Sequence, residues 1–256
     1  MSQRSEPPAA EPAFPQLREV AMDAPLQWLR RGWGDIRSCP GPSLFYGLAF
    51  VAGGYLLVFV LGGAPEYIAA ATSGFLIAGP FLCIGLYEIS RRHERGETCS
   101  LAPTLGAWQS NAGNLGIFSF ILIVLFLVWA RASMVMFALF YSGEMPTMAS
   151  FLRHVVSTDH IGFLLAYFAV GGLFALIAFA VSVISVPLMM DRGHDSITAA
   201  IASVRALLRN LPAMLVWAGC IALIAGIGLL TFFAGLVILG PLIGHATWHA
   251  YRDLVE

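Results

Sequence analysis

Runs of about 20 apolar residues, the length that carries an α-helix across the hydrocarbon core of a bilayer, recur along this chain. They fall at 42–61, 67–89, 115–138, 161–189, 211–230 and 232–250. The stretch 211–250 is too long for one tilted span, so a tight turn is expected near Leu230, Thr231 and Phe232. Between the runs lie shorter amphipathic stretches. Leu26, Leu29, Trp33 and Ile36 step along one helical face, while Arg30, Arg31 and Arg37 lie off it, the pattern of a helix resting on a membrane surface.

The pattern repeats. Gly79, Pro80, Tyr87, Glu88 and Arg91 align without gaps on Gly240, Pro241, Trp248, His249 and Arg252. Ser100, Leu101, Leu105, Trp108, Asn114 and Leu115 align on Ser196, Ile197, Ile201, Val204, Asn210 and Leu211, and Leu26 and Trp33 fit the register of Leu101 and Trp108. The expected fold is therefore all-α and polytopic: six transmembrane helices as three units, each an interfacial helix followed by a transmembrane hairpin. The second span of each unit carries a proline, at Pro80, Pro187 and Pro241. Residues 1–24, rich in Pro, Ala and Glu, are expected to form a disordered tail ahead of a membrane domain over 25–256.

Composition agrees, with 58% hydrophobic and 11% charged residues in 256. The first apolar run begins only near Ser43, so the spans rather than a signal peptide are expected to insert the chain. All 14 basic residues are arginine. In a six-span arrangement only Arg153 falls on one side and Arg131 within a span, while the other arginines fall together. Because basic loops stay cytoplasmic, both termini are placed on the cytoplasmic side of an inner membrane. Cys39, Cys83, Cys99 and Cys220 show no metal spacing and are expected to be free thiols.

The segments SVISVPLMMDRGHDSITAAIASVRALLRNLPAMLVW (182–217), GPLIGHATWHAYRDLV and GPFLCIGLYEISRRHERGE resemble a bacterial family of predicted integral membrane proteins of unknown function, over roughly 26–256. Some members of that family carry a cytochrome c oxidase subunit label. The resemblance implies a bacterial inner-membrane protein with six spans and supplies no catalytic residues. A haem–copper centre needs several histidines facing one another within the bundle. Only six histidines are present, and His93, His154, His160 and His194 fall in loops or at span ends, so a catalytic oxidase subunit is not expected.

Candidate chemistry is sparse. His245 and His249 lie one turn apart and could share a metal or haem, although with Trp248 and Tyr251 they also make an ordinary interfacial belt. Arg131 stands within a span and is either an anion contact or an outer-interface anchor. Gly79-Pro80 and Gly240-Pro241 mark a substrate pathway or close helix packing. Glu88 with Arg91, Asp191 with Arg192, and Trp248 with Arg252 form a cytoplasmic rim. No motif for nucleotide hydrolysis, serine hydrolysis or zincin chemistry is present, and no dense basic run suits nucleic acid. The expectation is a non-catalytic accessory or assembly component of an inner-membrane, respiratory-type complex, with no cofactor. Its partners are the lipid bilayer and other membrane proteins or a second copy. The alternatives are a small transporter or channel and a haem- or metal-binding redox subunit.

Overall fold

The computed structural model describes residues 14–61, 79–140 and 161–256. Residues 1–13, the first part of the expected span 67–89, and Arg153 lie outside these. Within them the chain is helical: α1 (Ala24–Ser38), α2 (Pro40–Leu61), α3 (Gly79–Leu82), α4 (Ile84–Glu94), α5 (Ala102–Leu105), a 3₁₀ turn (Ala107–Asn111), α6 (Ala112–Phe140), α7 (Ile161–Ser182), α8 (Ser185–Arg192), α9 (Ser196–Arg209), α10 (Leu211–Leu230) and α11 (Leu236–Leu254). Among the described residues, four stretches are long and apolar enough to cross a membrane: Pro40–Phe59, Ala107–Phe140, Ile161–Arg192 and Leu211–Leu230. α11 begins as apolar helix, but Thr247, His249, Arg252 and Asp253 make its last turns polar.

α11 is the axis on which α1, α2, α4 and α10 converge. The approach of α1 and α2 to it depends on glycine. A β-carbon at Gly32 would lie 2.8 Å from the Ala246 amide nitrogen, and one at Gly47 would overlap the Val237 carbonyl. That carbonyl is the one Pro241, lacking an N–H, leaves without its helical donor. Further along, Gly240 meets the Phe50 ring and Gly244 meets Leu86 and Cys83, so both glycines of this pair serve close packing. α10 and α11 are joined by a turn in which Phe232 and Phe233 both have positive φ, 52° and 65°. The Phe233 amide reaches back to the Gly228 carbonyl, and the Thr231 hydroxyl accepts from the Gly235 amide. The last helix therefore starts at Leu236 rather than at 232.

α6 and α7 form a second hairpin, held by Trp129 against Tyr167 and Phe174 (centroids 5.4 and 5.6 Å apart) and by Ser133 with Tyr167 at 3.1 Å. The run from α7 into α8 bends at Val183 and Ile184, one turn ahead of Pro187. There the Ile184 amide turns to the Ser203 hydroxyl of α9 at 3.4 Å.

Three expectations are corrected. Residues 14–23 are not a disordered tail. Leu17 bridges Val255, and the buried Asn210 side chain accepts the Val20 amide (2.8 Å) and donates to the Arg18 carbonyl (3.0 Å), as a neighbouring strand would. The second interfacial helix is not continuous: Pro103 starts a single turn, Gly106 ends it, and a 3₁₀ turn follows, leaving Leu105 and Trp108 half exposed. Finally, Cys39 and Cys99 are not free but joined, their α-carbons 5.5 Å apart, within the span a disulfide can bridge. Sequence spacing could not show this, because the end of α1 meets the segment after α4 only in three dimensions.

Candidate functional site

At the arginine-rich end of the molecule, α1, α2, α4 and α11 enclose one carboxylate. Asp35 occupies the α1 face that also buries Trp28, Gly32 and Ile36, a face selected because Gly32 lets α1 lie against α11. Trp28 fixes the rotation of the helix: its indole N–H donates to Asp253 at 2.8 Å, and its ring packs edge-on against Trp217 of α10, 5.7 Å between centroids. Arg31 pairs with the same Asp253. The consequence is that Asp35 points inward with its side chain only 5% exposed.

Three donors meet its two oxygens. Ser90 of α4 donates to Oδ2 at 2.5 Å, His249 Nε2 lies 2.9 Å from Oδ2, and His93 Nδ1 lies 2.8 Å from Oδ1. Burial pushes the Asp35 carboxyl up, but the bonds from His249 and Ser90 and the neighbouring His245 and His249 rings outweigh burial and hold it at about 2, below its ordinary 3.8. Asp35 is an anion.

The groups behind Ser90 and His249 follow from hydrogen counting. Since the Ser90 proton goes to Asp35, Ser90 Oγ must accept from His245 Nδ1, 2.8 Å away. Neutral His245 then carries its proton on Nδ1, and Nε2 accepts from the Ser43 hydroxyl of α2 at 3.0 Å. On the other side His249 Nδ1 faces Glu94 Oε1 at 3.7 Å, and Glu94 is paired with Arg252 at 3.2 Å. Arg252 also approaches Asp191 at 3.6 Å, and Asp191 accepts from the Tyr251 hydroxyl at 2.8 Å, which in turn accepts from Arg192. The site is a chain of bonds running from fully buried hydroxyls to a charged rim.

The structure brings several sequence candidates together and leaves others apart. His245 and His249 both enter the cluster, but their ring nitrogens are directed at Ser43, Ser90, Asp35 and Glu94. Among the described residues no group of three or more His, Cys, Asp or Glu is disposed to hold a metal ion. Asp191, Arg192 and Arg252 join the rim, whereas Glu88 pairs with Arg91 at 2.5 Å, and Arg91 reaches the Met190 carbonyl. Trp248 is buried and packs at a tilt against Tyr251, 5.4 Å between ring centroids. Gly79 and Pro80 stand at the start of the described part of their helix, with open space at Gly79. Arg131 is exposed on α6 and adds nothing to the cluster. Asp35, Ser43, Ser90, His93 and Glu94 escaped sequence reasoning. The available signal was the spacing of Trp28, Gly32 and Asp35, a helical stripe of mixed chemistry that an apolar template passes over.

Residues 68–191, a little under half of the chain, match a family described as "Predicted integral membrane protein (DUF2189)". That description carries neither a span count nor an oxidase label, and the match is shorter than the 26–256 expected from the resemblance. No curated protein and no solved structure matches the chain. With its apolar helices, the chain is an integral membrane protein set in a lipid bilayer.

Proposed function

We propose that the protein is a non-catalytic, six-span bacterial inner-membrane protein, both termini cytoplasmic, that works as a small transporter or channel at the junction of α1, α2, α4 and α11. The two spans beyond the four apolar stretches would be the run 67–89, whose described part is α3 and α4, and α11. One observation carries the reading: an anionic Asp35 is buried among three histidines where the helices of a membrane protein converge. Burying a carboxylate forfeits several kcal/mol of hydration, and apolar side chains of similar size would join the helices at less cost. An ionisable cluster kept in such a place is suited to handling charge. Arg131 as an anion contact has no support from the cluster, and Gly240 and Gly244 around Pro241 are occupied in packing.

The test is flux through the reconstituted full-length chain, for protons, alkali cations, small anions and zwitterions in turn. For the solute that moves, Asp35→Asn is expected to lower the rate at least about tenfold, because it removes the charge while keeping the shape. A wild-type chain that moves none of these solutes ends the proposal. The accessory-subunit reading is favoured by a different observation. Large apolar side chains such as Phe120, Leu127 and Phe168 stand exposed along the α6–α7 hairpin, a surface that lipid or partner helices would cover. Recovery of a stoichiometric partner in mild detergent would support it. No haem or metal is proposed.

A further inference from the structure

We infer that the cluster is a proton-binding site whose accepting atom is Nδ1 of His249, a ring seated between two carboxylates and reached from the arginine-rich face. The inference rests on the transport reading for its role, naming the proton as the ion handled, and on geometry alone for the site.

The geometry is a carboxylate, an imidazole and a second carboxylate in line. His249 Nε2–H donates to the anionic Asp35 at 2.9 Å, so in the neutral ring Nδ1 carries a lone pair, 3.7 Å from Glu94 Oε1. A lone pair facing a carboxylate is an unfavourable arrangement, and a proton on Nδ1 reverses its sign. Hydronium from the rim would give up an O–H bond as an N–H bond forms at Nδ1. The products are water and an imidazolium with one N–H toward each carboxylate. Release is the same step backwards, and no oxidant or further reactant is required.

His245 cannot serve in this way. Both its nitrogens are enclosed by the hydroxyls of Ser43 and Ser90, and all three side chains are shut from solvent. Its part is positional: through Ser90 it orients the Asp35 oxygen that His249 uses. Exposure rises outward along the cluster, from 0% at His245 through 8% at His249 to 33% at Glu94 and 41% at His93, so entry is one-sided. The other charged groups around the site are accounted for. From α1, Arg31 is engaged with Asp253 of α11. From α4, His93 faces Asp35, Arg91 pairs with Glu88, and Arg92 pairs with Glu97 at 2.9 Å. From α11, Arg252 shares Glu94 with His249 and links it to Asp191 of α8, which Arg95 approaches at 4.0 Å. α2 offers Ser43 and the Tyr46 phenol, the latter bonded to Thr104, and α10 contributes no acidic or basic side chain.

The experiment uses the full chain in lipid nanodiscs with ¹⁵N-labelled histidine, titrated between about pH 8 and about pH 5, the range in which imidazole exchanges its proton. The wild type is expected to take up a proton that His249→Gln does not, and both His249 nitrogens should carry hydrogen at the acid end. Glu94→Gln, a change at the partly exposed rim that spares the buried core, should weaken proton affinity roughly threefold to tenfold by removing one facing charge. Equal uptake by the wild type and His249→Gln, or a His249 ring that stays neutral throughout, overturns the inference. Uptake with no flux in liposomes keeps the proton site and discards the transport reading. Solute flux with no uptake does the reverse.

Discussion

Asp35 shows how one residue's chemistry is set by its neighbours. An isolated buried aspartate would protonate; here two hydrogen-bond donors and the adjoining histidines keep it ionised. Its carboxyl is held at about 2 in the folded protein against its ordinary 3.8, so the stabilisation is fully present above the higher value and disappears as pH falls through the lower one. The difference corresponds to roughly 2 kcal/mol. Thermal unfolding in detergent should therefore show an acid-induced loss of about that size between about pH 4 and about pH 2, missing in Asp35→Asn. A variant with the same acid profile as the wild type would show that Asp35 is not the group responsible. Little of this was legible in the sequence, since Asp35 is a single acidic residue on a helix whose arginines draw attention to the opposite side.

At the scale of the element, much of the apolar stripe of each amphipathic helix faces outward, and small or polar residues lie on the inner face. In α1, Leu26 and Trp33 are exposed while Trp28, Gly32 and Asp35 are buried; in α9, Ile197 and Ile201 are exposed while Ala199, Ala202, Ser203 and Ala206 are buried. In water this would be inverted. Beside a bilayer lipid covers apolar side chains at no loss, and small residues are what allow helices to approach. The clearest test is at Gly47, whose α-carbon lies against the Val237 carbonyl. Gly47→Val should separate α2 from α11 and cost about 2 kcal/mol or more, read as a lowered melting temperature, while the same change at Gly116, with open space around it, should leave stability within about 0.5 kcal/mol. Similar losses at the two positions would mean that the close approach carries no weight.

On the scale of the whole molecule, the N-terminal strap, the C-terminus and the Cys39–Cys99 bridge tie the arginine-rich end together. A cytoplasmic orientation of that end carries a consequence, because glutathione keeps cytosolic thiols reduced. Alkylated on unfolding straight from cells, all 4 cysteines should then be modified, whereas air-oxidised protein unfolded in the same way should be modified only at Cys83 and Cys220. A bridge already formed in cells would reverse the proposed orientation.

The sequence by itself determined where the four long apolar stretches lie, because a run of apolar residues near membrane length is a local property. It also determined that His245 and His249 share a face, since helical spacing fixes that much. What surrounds those histidines was decided by the tertiary structure alone. Asp35 is separated from His249 by 214 positions and Ser43 from His245 by 202, and no periodicity spans such intervals. The same holds for Cys39 with Cys99 and for Asn210 with the strap. Local pattern sets which helices form; only the close approach of glycine-bearing helices sets which of their polar groups meet.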